Sequence, residues 1–166
     1  MDVNQKKKFQ VTQEIYASMQ QRFVNYIVDM IMLVFMFILL GMVSVIIGDL
    51  LGSKKVINFI AGLDKNQIAL YTVTFIVTLI YYNLFEILSA RTIGKLITKT
   101  IVVDENGEKP HSDRILIRSL CRLIPFNPFS VLVMGIGWHD MLSKTYVVDK
   151  KMLEQSKRTF YSSENQ

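Results

Sequence analysis

Five ionisable residues stand beside apolar runs and are the first candidates for chemistry. Arg22 and Asp29 precede or open the first long run, Glu86 follows the second, and His139 and Asp140 follow a third, shorter stretch. A carboxylate whose pKa is displaced by a nearby acid and base could bind and release H⁺, Na⁺ or K⁺. The alternative is a polar clamp that pins helix ends together. The sequence leaves both interpretations open.

The spacing of Arg22 and Asp29 bears on both interpretations. The two residues are seven positions apart, which is about two helical turns, so their side chains point in similar directions about 10 Å apart along the axis. Because that distance is too long for a direct salt bridge, each needs a partner on another segment. Glu86 is expected at a similar depth, since antiparallel helices bring the two run ends together. Ionisable groups near the interface cost less than the roughly 2.5–3.5 kcal/mol expected at the membrane centre.

Two uncharged runs indicate that the chain is an integral membrane protein. Residues 30–48 carry no charge, and a helix of that length spans about 28 Å, close to the bilayer core of about 30 Å. The run over 68–85 has tyrosines near both ends, which is typical of membrane interfaces. A chain this short has too little other material to bury two all-round apolar helices. We predict transmembrane helices over 22–48 and 67–89.

A third apolar segment follows two prolines. Residues 129–138 are apolar apart from one serine, and runs of about 10–14 residues are more typical of re-entrant or interfacial segments than of spans. We therefore predict a re-entrant third segment over 125–139, with a complete third span as the alternative.

Two similar stretches predict a pair of strands. The first, KTIVVDENGEKP, forms the predicted strand and turn over 99–110, and KTYVVD repeats its pattern over 144–149. Pairing would place both stretches on one side of the membrane. Residues 1–21 are predicted to be an interfacial lead-in to the first span, in which the helical spacing of apolar residues over 11–21 predicts an interfacial helix. Residues 150–166 are predicted to be a polar tail. The predicted fold class is an all-α membrane protein with interfacial amphipathic helices and a small cytoplasmic β-pair, forming one domain over residues 1–166.

The stretch over 111–124 predicts a basic amphipathic helix. Arg114, Arg118 and Arg122 recur at intervals of four, with leucines on other faces. The favoured interpretation is a helix that lies on anionic lipid headgroups, and a nucleic-acid face is much less favoured. The expected partners are therefore the lipid bilayer and its anionic headgroups, with no nucleic acid.

The distribution of basic residues predicts the orientation. Four lysines and arginines precede the first run, three lie between the runs, and seven follow the second run up to Arg122. Cytoplasmic flanks are richer in lysine and arginine. This favours a multi-pass protein whose N-terminus lies in the cytoplasm.

Three separated motifs resemble the RDD family of bacterial membrane proteins. They are RFVNYIVD, SARTIGKLITKTIVVDENG and WHDMLSKTYVVD, which occur in that order within residues 19–150. The family is named for an arginine and two aspartates, and the resemblance assigns these to Arg22, Asp29 and Asp140.

The middle motif departs slightly from the family pattern of glycine-x-threonine-x-glycine-lysine. Thr92, Gly94 and Lys95 match it, whereas Ala90 replaces the first glycine. The resemblance implies a bacterial inner-membrane protein and a suggested role in transport, including cation/proton antiport.

Composition argues against several other classes. The single cysteine, Cys121, has no intramolecular disulfide partner, and the two histidines are scattered, so we expect no metal site and no cofactor. No nucleophile–base pair or phosphate loop is visible, so we expect no enzyme and no catalytic residue. The expected function is a cation/proton transporter or transporter subunit. Two spans cannot enclose a pathway, so it would act as a homo-oligomer or in a membrane complex. The alternative is a non-transporting membrane scaffold or lipid-binding accessory protein.

Overall fold

The described part of the chain consists of two long helices, with most of the short elements gathered at one pair of their ends. The computed structural model describes residues 8–63, 65–122, 124, 130 and 136–164. Its elements are a 3₁₀ turn (Gln13–Ile15), α1 (Met19–Leu50), α2 (Lys54–Ala61), α3 (Gln67–Ser89), α4 (Ile93–Ile97), β1 (Thr100–Val103), α5 (Ser112–Cys121), α6 (Trp138–Ser143), β2 (Tyr146–Asp149) and α7 (Lys150–Glu164). The predicted combination of two long apolar helices and one small sheet is confirmed.

Helices α1 and α3 are long and apolar enough to cross a membrane. Their most apolar 18-residue windows have mean hydropathies of 3.0 and 1.7, and none of the α1 window is buried within the structure. Helix α1 begins after Ser18, whose hydroxyl accepts a hydrogen bond from the Gln21 amide while its own amide donates to the Gln21 side chain. This reciprocal capping satisfies two main-chain donors at the helix start. This cap also explains why α1 begins at Met19, slightly before the predicted span over 22–48.

A small cap lies beyond one pair of helix ends; it consists of residues 8–18, β1 with the turn that follows it, β2 and α7. Strands β1 and β2 pair antiparallel, with Thr100 opposite Asp149. The strands therefore pair as the repeated Thr-x-Val-Val pattern predicts. Phe9, Ile15 and Leu153 pack against them in a small apolar core.

The N-terminal lead-in is mostly extended where helical periodicity suggested an interfacial helix. Only Gln13–Ile15 form a helical turn before α1. The Val11 amide donates to the Glu105 carbonyl at 3.0 Å, and the Ala17 amide donates to Val147 at 2.9 Å. Because these main-chain groups bond to the sheet, they are not available for a helical ladder. Most of the predicted polar tail forms helix α7, which ends at Glu164.

Helix α2 lies at the opposite ends of the spans. A methyl group added at Gly48 would lie 2.8 Å from Cγ1 of Ile57, so α2 packs closely against the end of α1. The connection between the two spans thus contains a short helix. Most of the predicted third segment over 125–139 lies outside the described residues.

The cap gives a testable topology. Residues 8–18 and 146–164 form or pack against the same sheet. We therefore predict that they lie on one side of the membrane and that the connection between α1 and α3 lies on the other. In a Cys121→Ala background, we expect Thr12→Cys and Lys151→Cys to react with an impermeant maleimide from one side only. Lys65→Cys should react from the opposite side. Right-side-out and inverted vesicles distinguish the sides, and Lys151→Cys reacting together with Lys65→Cys would contradict the fold.

Candidate functional site

Charged residues from five helices meet at the cap-side ends of α1 and α3. Helices α1 and α3 contribute three of them, and the short helices α4, α5 and α6 contribute the others. We call this set the charge cluster: Arg22, Asp29, Glu86, Lys95, Arg118, Arg122 and Asp140.

Arg118 connects the two halves of the charge cluster. Its guanidinium pairs with Asp140 and also lies 3.2 Å from Oε2 of Glu86, measured at Nε. Asp140 in turn accepts a hydrogen bond from Nη1 of Arg22 at 2.6 Å. All four side chains in these pairs are almost completely buried. A continuous series of ion pairs therefore joins α1, α6, α5 and α3.

Glu86 binds more cations than any other described acid in the charge cluster. Its Oε1 accepts hydrogen bonds from Nζ of Lys95 at 2.8 Å and from Nη2 of Arg122 at 2.6 Å. Arg122 also lies over the Tyr82 ring, 3.8 Å from the centroid, a favourable arrangement for a cation. Glu86 has no exposed surface. Its carboxylate is therefore neutralised entirely by α4 and α5.

Asp29 is held differently, by neutral donors. Its carboxylate accepts hydrogen bonds from the Tyr81 hydroxyl at 2.8 Å, the Thr92 hydroxyl at 2.7 Å and the Gly94 amide at 2.9 Å. Among the described residues, no cation lies within 4.0 Å of it. Asp29 thus joins α1 to α3 and to the start of α4 without an ion pair.

The threonine–glycine–lysine motif has a distinct structural role at each position. Thr92 caps α4 and also donates to Asp29, while Lys95 reaches Glu86. Gly94 permits close contact with α1, since an added Cβ would lie 2.5 Å from the carbonyl oxygen of Asn25. Any larger residue would separate the two helices.

Asn25 is the structural residue that the sequence analysis missed. It is buried, its side-chain Nδ2 donates to the Thr100 hydroxyl at 3.0 Å, and its side-chain Oδ1 accepts from the Thr98 hydroxyl at 2.5 Å. Its position between Arg22 and Asp29, on the same helical face, was the signal that could have identified it.

A family match covers most of the chain, including all members of the charge cluster. Residues 16–145 match the family model described as the RDD family. The chain belongs to the RDD family. This is a family of membrane proteins, in accord with the two apolar helices. No curated protein and no solved structure matches this RDD protein.

The departure of this RDD protein from the family motif falls at a distinctive backbone position. Ala90 ends α3 in the left-handed conformation, with φ of 56°. Glycine is favoured there because a side chain makes this conformation costly. The geometry gives a physical reason for the glycine in the motif and shows that alanine still completes the turn.

The ionisation of the charge cluster follows from burial and from close partners. Burial alone would raise the pKa of Asp140, but Arg118 and its other charged neighbours outweigh burial and hold that pKa well below its usual range. Burial lowers the pKa of Lys95 against the opposing effect of Glu86. Burial also lowers the pKa of His139 to about 3, so its imidazole is neutral at neutral pH. By residue type, the charge cluster contains four basic and three acidic side chains.

Of the three arginines predicted to lie on lipid headgroups, Arg118 and Arg122 are directed into the interior of this RDD protein. Arg118 is completely buried and Arg122 pairs with Glu86. Arg114 alone of the three lies near the surface, where Nη1 bonds to the Lys144 carbonyl at 3.4 Å. The interval of four does place Arg118 and Arg122 on one helical face, but that face is directed at Glu86 and Asp140.

The remaining site predictions can be placed relative to the charge cluster. His139 lies beside it, with Nε2 3.3 Å from Oδ1 of Asp140. Within the described residues, no group of three or more His, Cys, Asp or Glu side chains is arranged to hold a metal ion. An open groove lies elsewhere, on the cap, between Phe9, Ile15, Met152 and Phe160. The charge cluster is therefore the candidate functional site.

Proposed function

We propose that this RDD protein is a non-transporting membrane scaffold or accessory subunit in which the charge cluster holds α4, α5 and α6 onto α1 and α3. The observation that carries the proposal is the commitment of Glu86 and Asp140 to arginine and lysine side chains at 2.6–3.2 Å. A cation entering here would meet an excess of positive charge and would have to displace one of those partners. Removing one member of a buried ion pair is costly, because the other charge is left uncompensated.

The composition of the two spans supports the same proposal. Residues 30–48 and 66–85 contain no Asp, Glu, Lys, Arg or His. Ion and proton pathways usually depend on such groups within the membrane. The two spans of one chain thus supply no relay of charged groups, and two helices alone cannot enclose a path. The protein would therefore act in a homo-oligomer or with another membrane protein.

The proposed setting is the bacterial inner membrane, with the cap in the cytoplasm. The cap side carries the richer set of lysines and arginines in both the N-terminal flank and the segment after α3. The positive-inside tendency favours that side as cytoplasmic.

A second candidate function, cation/proton exchange, rests on Asp29. Its three partners are neutral donors at 2.7–2.9 Å, so protonation of Asp29 would not break an ion pair. In this alternative, Asp29 binds H⁺ in exchange for Na⁺ or K⁺, and neighbouring copies complete the path.

Flux measurements in proteoliposomes distinguish the two functions. We expect the wild type, Asp29→Asn and the control Asp113→Asn to show the same Na⁺- or K⁺-dependent proton flux as protein-free vesicles. Asp113 is a suitable control because its side chain is 72% exposed at the start of α5. Flux that is present in the wild type and Asp113→Asn but lost in correctly inserted Asp29→Asn would establish the exchange function instead. Flux retained in all three would refute the scaffold proposal and the role of Asp29.

A further inference from the structure

The three short helices around the charge cluster bury polar groups and expose apolar ones. On α5, Arg118 and Ser119 face inward, whereas Leu116, Ile117 and Leu120 are 48%, 45% and 52% exposed. A helix lying on a membrane surface has the opposite arrangement, with its charged face outward. The pattern of α5 is therefore that of a helix with an apolar environment outside it.

Helices α4 and α6 show the same arrangement. Lys95 of α4 is buried while Leu96 and its neighbour Ile97 are exposed. Asp140 of α6 is buried while Met141 and Leu142 are exposed. Three separate elements thus direct aliphatic side chains away from the charge cluster. Isolated exposed apolar residues are ordinary, but a contiguous set indicates a contact surface.

Contacts with α3 set the depth of α5 along the span. Arg118 pairs with Glu86, and Arg122 lies over the ring of Tyr82. These two residues of α3 precede its end at Ser89 by about 4 and about 10 Å, at 1.5 Å per residue. Helix α5 therefore runs beside the last turns of a membrane span. At that depth the outward residues of α3, Leu84 among them, are also apolar and exposed.

We propose that the outward faces of α4, α5 and α6 contact the acyl chains of the bilayer. The occupant is lipid because these faces are aliphatic and because the face of α5 lies at the depth of the exposed apolar surface of α3. Inside them, each buried cation pairs with an acid, which avoids the cost of an unpaired charge at membrane depth. The three helices thus form an embedded layer that separates the charge cluster from lipid.

The single tryptophan offers a test in the unmodified chain. Trp138 opens α6 and is 37% exposed on the same side as Met141. In vesicles of phosphatidylcholine and phosphatidylglycerol, we expect its emission to be blue-shifted. Acyl chains brominated near the glycerol end should quench most of it, whereas aqueous iodide should leave it unchanged. Quenching by iodide and not by bromine would overturn the proposal, and so would quenching by neither, which would indicate a protein contact.

Spin labels give an independent measurement on α5. In a Cys121→Ala background, a nitroxide at Leu120 should collide with oxygen in preference to a soluble nickel chelate, as should one at the lipid-facing control Leu84. A label at Asp113, on the polar start of the same helix, should show the reverse preference. A label at Leu120 that behaves like Asp113 would mean an aqueous surface. An immobilised label that neither reagent reaches would mean a second protein. Either result would overturn the proposal.

Discussion

Glu86→Gln is expected to lower the free energy of unfolding by about 3–5 kcal/mol, the range for removing one partner of a buried ion pair. Glutamine keeps the shape of glutamate but removes its charge, so Lys95, Arg118 and Arg122 lose their shared counter-ion. Water cannot readily replace that counter-ion, because Arg118 is fully buried, Lys95 is nearly so, and the Arg122 side chain is only 11% exposed. The change should appear in equilibrium unfolding of the purified protein in detergent, monitored by circular dichroism.

Glu108→Gln provides the matched control for Glu86→Gln. Glu108 also forms an ion pair, with Nζ of Lys157 at 2.5 Å, but its side chain is 66% exposed in the cap. Exposed ion pairs contribute about 0–1 kcal/mol, so this variant should unfold almost as the wild type does. If the two variants lost equally little stability, the charge cluster would not hold the short helices in place.

The two spans could be predicted because their signal is local. Uninterrupted apolar runs define a membrane helix whatever surrounds it, and α1 and α3 match the predicted spans within a few residues. The paired strands could also be predicted, because two copies of one pattern suggest two elements of one sheet. The conformation of the lead-in to α1 could not be predicted. Residues 11–21 have a helical pattern, but several of their main-chain groups bond to distant residues, and no local pattern reveals those bonds.

The candidate site shows the same division between what is local and what is not. The spacing of Arg22 and Asp29 predicted that each residue has a partner on another segment. In the structure, Arg22 donates to Asp140, and Asp29 accepts from the Gly94 amide. For Arg118 and Arg122, spacing defined a shared helical face but not its surroundings. A basic stripe on headgroups and a basic stripe buried against Glu86 have the same sequence pattern. Only the exposed leucines on the opposite face distinguish them, and their exposure is a property of the fold.

Gly94→Ala is expected to destabilise the protein through a different mechanism, the loss of close packing. The added Cβ would lie 2.5 Å from the carbonyl oxygen and 2.9 Å from Cα of Asn25. Both contacts involve main chain, so α4 must move away from α1. Overpacking of this kind costs about 1–3 kcal/mol, and the movement also weakens the hydrogen bond from the Gly94 amide to Asp29. Equilibrium unfolding in detergent measures the combined loss.

Gly41→Ala separates packing from the general effect of replacing a helical glycine. Nothing among the described residues lies within 4 Å of a Cβ at Gly41, so alanine fits there and should raise stability by up to about 1 kcal/mol through reduced backbone entropy. The two substitutions are chemically identical and should therefore change stability in opposite directions. A neutral result at Gly94 would mean that α4 does not pack against α1 at this distance. The contact that places Thr92 and Lys95 in the charge cluster would then have to be different.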